Sequence, residues 1–339
     1  MLLVFCVHAA GNAASVALGI DFEKASFASL PTAFERELFW LYRSHHGVFL
    51  FFVLSGFLIG RMWWPRPTMT YASFAWRRTR RIYPAFLLAF AASLLFARRS
   101  GTWTPPDLAR VAGNLFFLNG APGSPVVPFN IVTWSLFYEM TFYLAFPIAM
   151  LAAGAGRAPA VALAGIALPA AAAAMGADPL VLCWSLLFAG VALAVHEEAL
   201  RAGIARVPTA AIAVAYLAVT TAGMLDALPA PLAILAFGAV TLGLVAKSLR
   251  GDNAIARLLA LAPLRALGRV SYSFYLVHWM IVVLVARAVH THAAGVSPAT
   301  SVALVFAGGF VLSAVAASAS WWLAERPYFA KSRTARAPL

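Results

Sequence analysis

The chain has 339 residues, 63% of them hydrophobic and only 11% charged, with a mean hydropathy of +0.84. No soluble domain of this length needs so much apolar surface, so the composition specifies an all-α polytopic membrane protein. The formal net charge of +13 fits basic residues flanking membrane spans rather than nucleic-acid binding, and Cys6 and Cys183, lying in apolar runs without CxxC spacing, indicate neither a disulfide framework nor a zinc site.

A membrane-spanning helix needs about 17–25 predominantly apolar residues. Segments of that kind lie at 1–19, 47–64, 82–97, 133–153, 159–176, 179–195, 208–225, 230–246, 269–289 and 301–323, which predicts about ten transmembrane helices. The first run ends in small residues, as a signal peptide would, but it has no basic n-region and carries His8 in its middle. It therefore reads as a first transmembrane helix, with a true start expected upstream of Met1. The fifth to eighth segments are rich in Ala, Leu and Val and read as scaffold.

With the N-terminus in the cytoplasm, Lys24, Arg36, Arg43, Arg98, Arg99, Arg110 and Arg287 fall outside and the other 18 of the 25 basic residues fall inside. The positive-inside rule then predicts both termini in the cytoplasm. Two longer loops face outward. Residues 20–46 carry mixed charge suited to a short amphipathic helix, and residues 98–132 contain an apolar stretch that dips back toward the bilayer. Irregular backbone at that depth needs protein or a polar cavity against it.

Ionisable side chains at membrane depth are costly, so a functional role is their default reading. His8, Glu139 and His278 qualify. At ~1.5 Å per residue, Glu139 lies ~9 Å below the outer face and Ser55 ~12 Å, while His278 lies ~14 Å from the inner face and His8 at least ~10 Å. All four can meet near mid-membrane. His8 is the candidate general base, because an imidazole takes and returns a proton near neutral pH. Ser135, Glu139 and Tyr143 recur at i, i+4 and i+8 as one polar stripe after Trp134. Ser271, Tyr275 and His278 share a face of another helix, which suits a substrate-lining or structural role. His45, His46, His290 and His292 fall near the outer surface, and no carboxylate is spaced to complete a metal site.

Gly47 to Pro84 joins two further features. The apolar helix carries Ser55 and Gly56, where a ligand can approach the backbone closely. Arg77, Arg78, Arg80 and Arg81 follow it, offering permanently charged planar donors to phosphate oxygens. Anionic lipid contact and topology account for such a cluster equally well.

The motifs HGVFLFFVLSGFLIG, RRTRRIYP, TWSLFYEMTFYLAFP, GRVSYSFYLVHW and ERPYF, in that order, resemble acyltransferase family 3, integral membrane O-acyltransferases of the bacterial polysaccharide-modifying type. The resemblance runs from His8 to Phe329. It implies one transmembrane acyltransferase domain over residues 1–329 with a basic cytoplasmic tail at 330–339, a bacterial inner-membrane location, and no bound cofactor. It implies acyl-CoA, most often acetyl-CoA, as the donor substrate and a carbohydrate or glycolipid as the acceptor. On the same footing, His8 matches the essential first-helix histidine and Glu139 the motif glutamate, and the two are the expected catalytic residues, Glu139 orienting or charge-stabilising the site. Ser55, Gly56 and Phe57 match the lining of the acyl-pantetheine path, Arg77, Arg78 and Arg81 the motif holding CoA phosphates, and Tyr83, Trp134, Ser135 and His278 complete the expected substrate-binding set. The chain departs from the pattern twice. The Arg or Lys that the family places eleven residues before its histidine would precede Met1, and Phe49 stands where many members carry a polar residue. The competing expectations are a transporter or flippase using the same polar centre and a catalytically inactive relative; labelled acyl transfer separates them.

Overall fold

A computed structural model describes residues 1–44, 46–63, 70–105, 107–251, 253–293 and 295–329. The tail at 330–339 lies outside the described residues, as do His45, Arg66 and Asp252. In chain order the helices are α1 (Leu2–Leu18), α2 (Ala33–Arg43), α3 (Gly47–Trp63), α4 (Tyr71–Arg99), α5 (Leu108–Leu115), α6 (Trp134–Ala153), α7 (Ala158–Ala174) and α8 (Leu182–Val195). They continue as α9 (Glu197–Ala205), α10 (Thr209–Met224), α11 (Ala230–Ser248), α12 (Ala254–Leu259), α13 (Ala262–Arg269), α14 (Ser271–His292) and α15 (Pro298–Ser320). No strand occurs among the described residues. The protein is an all-α polytopic membrane protein.

Each of the ten apolar segments falls on a helix, but only six helical stretches among the described residues are both long and apolar enough to cross a bilayer. The bent pair α8–α9, broken by 92°, makes a seventh if it is one span. The helices α1, α7 and α10 are apolar yet hold only 17, 17 and 16 residues. Length and composition by themselves support six to seven spans among the described residues, and the shorter apolar helices α1, α7 and α10 account for the remaining three of the ten predicted segments.

Local chemistry sets the helix ends. Gly19 stops α1 by taking a left-handed conformation at φ 68°, its N–H bonding the Ala14 carbonyl, a backbone that costs glycine nothing. In the first outer loop, Thr32 and Glu35 cap α2 reciprocally, Thr32 Oγ1 accepting from the Glu35 N–H at 3.2 Å and the Glu35 carboxylate from the Thr32 N–H at 3.1 Å. This is the short helix foreseen over residues 20–46, and it lays Leu38 and Phe39 into a buried cluster with Ala10 and Ala14 of α1.

The fourth helix is longer than its apolar segment. Thr70 caps it through a 3.3 Å bond from the Ser73 N–H, so α4 starts at Tyr71 and carries the whole arginine cluster on its early turns, with Pro84 inside it. Hydropathy alone hides these turns because charge interrupts the apolar run. The second outer loop folds back onto the bundle. Arg110 of α5 donates to the carbonyls of Thr102, Val127 and Pro128, and buried Asn130 donates a 2.7 Å bond to the Leu276 carbonyl within α14. Asn130 thus ties the start of α6 to the early turns of α14.

Close packing of α3 on α8 depends on glycine. A side chain on Gly56 would overlap the Leu187 carbonyl, and one on Gly190 the Val53 carbonyl. Small residues let the two backbones approach, the usual basis of helix association in lipid.

Candidate active site

A cavity of about 700 Å³ is walled by several of these elements. His8, Asn12 and Ser15 line it from α1, Tyr42 from α2, Val48 and Phe49 from α3, Trp134 from α6, and Tyr275 and Trp279 from α14. Asp21 and Glu23, in the outer loop after α1, also line it. His8 is half-buried, and its turn is tied by the 2.8 Å bond from Asn12 Nδ2 to the His8 carbonyl. Aromatic faces with scattered carboxylates and one imidazole make a wall suited to a polyhydroxylated ligand.

Behind this wall lies a hydrogen-bonded layer. Tyr275 donates a 2.5 Å bond to the Val132 carbonyl and accepts from Ser135, whose Oγ lies 2.7 Å away. His278, almost wholly buried, meets His8 with 5.3 Å between ring centroids. Of the predicted site residues, His8 and Trp134 therefore share the cavity, while Ser135 and His278 stand directly behind it.

Glu139 belongs to a second group. It is buried, outside the cavity lining, and accepts a 2.8 Å bond from Ser55 Oγ together with a bond from the Tyr143 hydroxyl. The polar stripe on α6 is real, and its members serve different neighbours, Ser135 bonding Tyr275 of α14 and Glu139 bonding Ser55 of α3. Arg78 and Arg81 are the cations whose field reaches Glu139. The expected meeting of His8, Ser55, Glu139 and His278 resolves into two pairs, His8 with His278 and Ser55 with Glu139.

The arginines divide in the same way. Arg77 is exposed. Arg78 stacks its guanidinium over Tyr143 at 5.4 Å and over Phe74 at 5.6 Å, next to Met62 Sδ at 3.3 Å. Arg81 lies over Tyr272 at 5.4 Å and forms an ion pair with Glu325. Phe57 is buried beneath the Arg61 guanidinium, 5.6 Å from its ring centroid, Gly56 faces α8, and Tyr83 packs on Phe86 and Phe117.

Among the cavity residues that the sequence did not single out are Asn12, Tyr42, Asp21 and Glu23. Asn12 had a signal, standing one helical turn after His8. The other three come from the outer loop, and only its folding over α1 brings them in. Tyr275 and Trp279 flank His278 in sequence, and the helix turns these two, rather than His278, to the cavity.

The sequence model of the family described as "Acyltransferase domain" matches residues 1–318. The chain belongs to acyltransferase family 3. It is thus a membrane-embedded acyltransferase, and the cavity around His8 is the candidate centre for that chemistry. A curated relative within reach is the exopolysaccharide production protein ExoZ of Rhizobium meliloti (strain 1021), 31% identical over 304 residues, which cover 86% of this chain and 91% of that protein. No solved structure matches the chain. Two segments singled out in the sequence acquire a structural setting here: WSL-x2-E places Ser135 behind the cavity and Glu139 against Ser55, and the glutamate of ERPYF holds Arg81.

Proposed function

We propose that this acyltransferase moves an acetyl group from cytoplasmic acetyl-CoA to a hydroxyl of an extracytoplasmic carbohydrate, an exopolysaccharide or its glycolipid precursor. The observation that carries this reading is the position of His8 on the wall of an aromatic-lined cavity of about 700 Å³ that also takes in Asp21 and Glu23 of the outer loop. The relation to ExoZ supports an exopolysaccharide as acceptor, and the excess of basic residues on one side supports both termini facing the cytoplasm of a bacterial inner membrane.

In this mechanism the acceptor sugar stacks on Trp134, Tyr275 and Trp279 and hydrogen-bonds to the carboxylates. His8 removes the proton of one hydroxyl as its oxygen attacks the thioester carbonyl. The C–O bond forms, the C–S bond breaks, and the departing CoA thiolate takes the proton back from His8. Arg77 and Arg78 hold CoA phosphates at the arginine end, and the pantetheine arm passes Ser55, with Gly56 and Phe57 setting the helix spacing beside it. Glu139 orients Ser55 and, with Arg78 and Arg81 near it, balances charge along that path.

The test is transfer of radiolabel from acetyl-CoA by membranes containing the protein. Label entering the carbohydrate fraction, and falling about a hundredfold or more in His8→Ala, supports the reading. Full transfer by His8→Ala sinks the assignment of the base, and no transfer by correctly inserted wild-type protein sinks acetyl-CoA as the donor.

A further inference from the structure

The surroundings of His278 fix its chemistry. Its Nδ1 lies 2.8 Å from the Tyr275 carbonyl and 3.1 Å from the Phe274 carbonyl. Carbonyl oxygens only accept, so Nδ1 carries the proton, and in the neutral imidazole Nε2 presents a lone pair. That Nε2 is buried with no hydrogen-bond partner among the described residues. A buried acceptor left unmade costs free energy, and such groups in a native site have a reason.

The ring that confronts it belongs to His8. The centroids are 5.3 Å apart and the planes tilt by 50°; the rings do not hydrogen-bond in this arrangement, and a rotation of the half-buried His8 side chain between rotamers is what brings one of its nitrogens to bonding range. Tyr275 and Trp279 line the cavity whereas His278 does not. His278 therefore addresses His8 from behind and has no direct path to substrate.

We infer that His278 is a positioning residue for His8: its Nε2, unbonded in this structure, accepts a hydrogen bond from an N–H of the His8 ring once that ring turns toward it on binding substrate. This rests on His8 being the general base. When His8 takes the acceptor's hydroxyl proton on one ring nitrogen, the other nitrogen's N–H stays bonded to His278. The proton later leaves to the CoA thiolate, and His278 neither gains nor loses one. The bond fixes the ring's rotation and tautomer, so that the basic nitrogen faces the cavity.

Two substitutions separate this role from packing. Asn at 278 reproduces the Nδ1–H donor and removes the Nε2 acceptor; Gln places an amide oxygen near the Nε2 position. In membranes supplied with labelled acetyl-CoA, His278→Asn is expected to lower kcat about tenfold or more while leaving KM for acetyl-CoA within about twofold. His278→Gln is expected to recover most of that loss. Equal loss in both variants, or a change confined to KM, overturns the inference. An inactive His8→Ala beside a fully active His278→Asn overturns it alone, whereas an active His8→Ala overturns the base assignment as well. A measurement on wild-type protein covers variants that fail to insert. His278–Trp279 is the one His-Trp step in the sequence, so labelled histidine combined with 15N-tryptophan selects it in solid-state NMR. A δ1-protonated ring with unprotonated Nε2 is expected, and an ε2-protonated ring refutes the arrangement.

Discussion

Ser55 on α3 donates a 2.8 Å hydrogen bond to Glu139 on α6, across 84 residues of sequence, and the Tyr143 hydroxyl donates to the same carboxylate oxygen. This triad, with Glu139 and Tyr143 buried and Ser55 half-buried, joins α3 and α6 near Arg78 and outside the lining of the cavity that holds His8. Its geometry separates what Glu139 does for stability from what it does for transfer.

Replacing Glu139 by Leu leaves the Ser55 and Tyr143 hydroxyls without their acceptor, at a cost of about 1–3 kcal/mol. Glu139→Gln keeps an acceptor oxygen and is expected to restore most of the stability. Thermal unfolding in detergent reads the first effect. Labelled acetyl transfer by the Gln variant then shows whether the charge itself matters; a fully active Gln variant excludes a need for the carboxylate's charge.

The contact of α3 with α8 gives a second expectation. Gly56→Val and Gly190→Val each force a side chain into a backbone carbonyl of the facing helix, and displacing packed backbone is far costlier than moving a side-chain tip. Both variants are expected to lose monodisperse protein on size-exclusion chromatography. Gly203→Val, at a position where an added Cβ meets nothing, serves as the control and should behave as wild type.

Glu325 sits in the π-helical turn Trp321–Glu325 that follows α15, its side chain fully buried. It accepts from Arg81, from Ser273 Oγ at 2.6 Å and from the Ser273 N–H at 3.2 Å. Removing one partner of a buried pair strands the other, which costs about 3–5 kcal/mol. Glu325→Ala should therefore lower the melting temperature much more than Arg77→Ala, whose side chain is exposed. If the two variants melt alike, the ion pair contributes little to the fold.

Acceptor binding is expected to depend on the cavity aromatics. Trp134→Ala and Trp279→Ala should raise KM for the carbohydrate acceptor roughly threefold to tenfold without changing KM for acetyl-CoA. A selective rise for acetyl-CoA would instead place the donor in this cavity.

Orientation is open to a direct check. In a protein whose only cysteine is introduced at Ser26, an impermeant maleimide is expected to label intact cells lacking their outer barrier. A single cysteine at Ala202, exposed on α9, should react only after the membrane is opened. The reverse pattern rejects the N-in, C-in topology.

Composition alone determined that this chain lives in a membrane and is helical, because apolar runs of spanning length have few other stable solutions. The sequence also marked His8, Glu139 and His278, since buried ionisable groups are too costly to be incidental. It carried the α6 stripe as well, because helical periodicity places Ser135, Glu139 and Tyr143 on one face regardless of tertiary context. Which of these residues meet was decided only by the tertiary structure. Periodicity fixes a residue's angle about its own helix but leaves the helices' axial offsets free. Here Asn130, reaching the Leu276 carbonyl, sets the offset of α6 against α14. The packed arrangement pairs Glu139 with Ser55 and His278 with His8, and the outer loop folding over α1 brings Asp21 and Glu23 to the cavity.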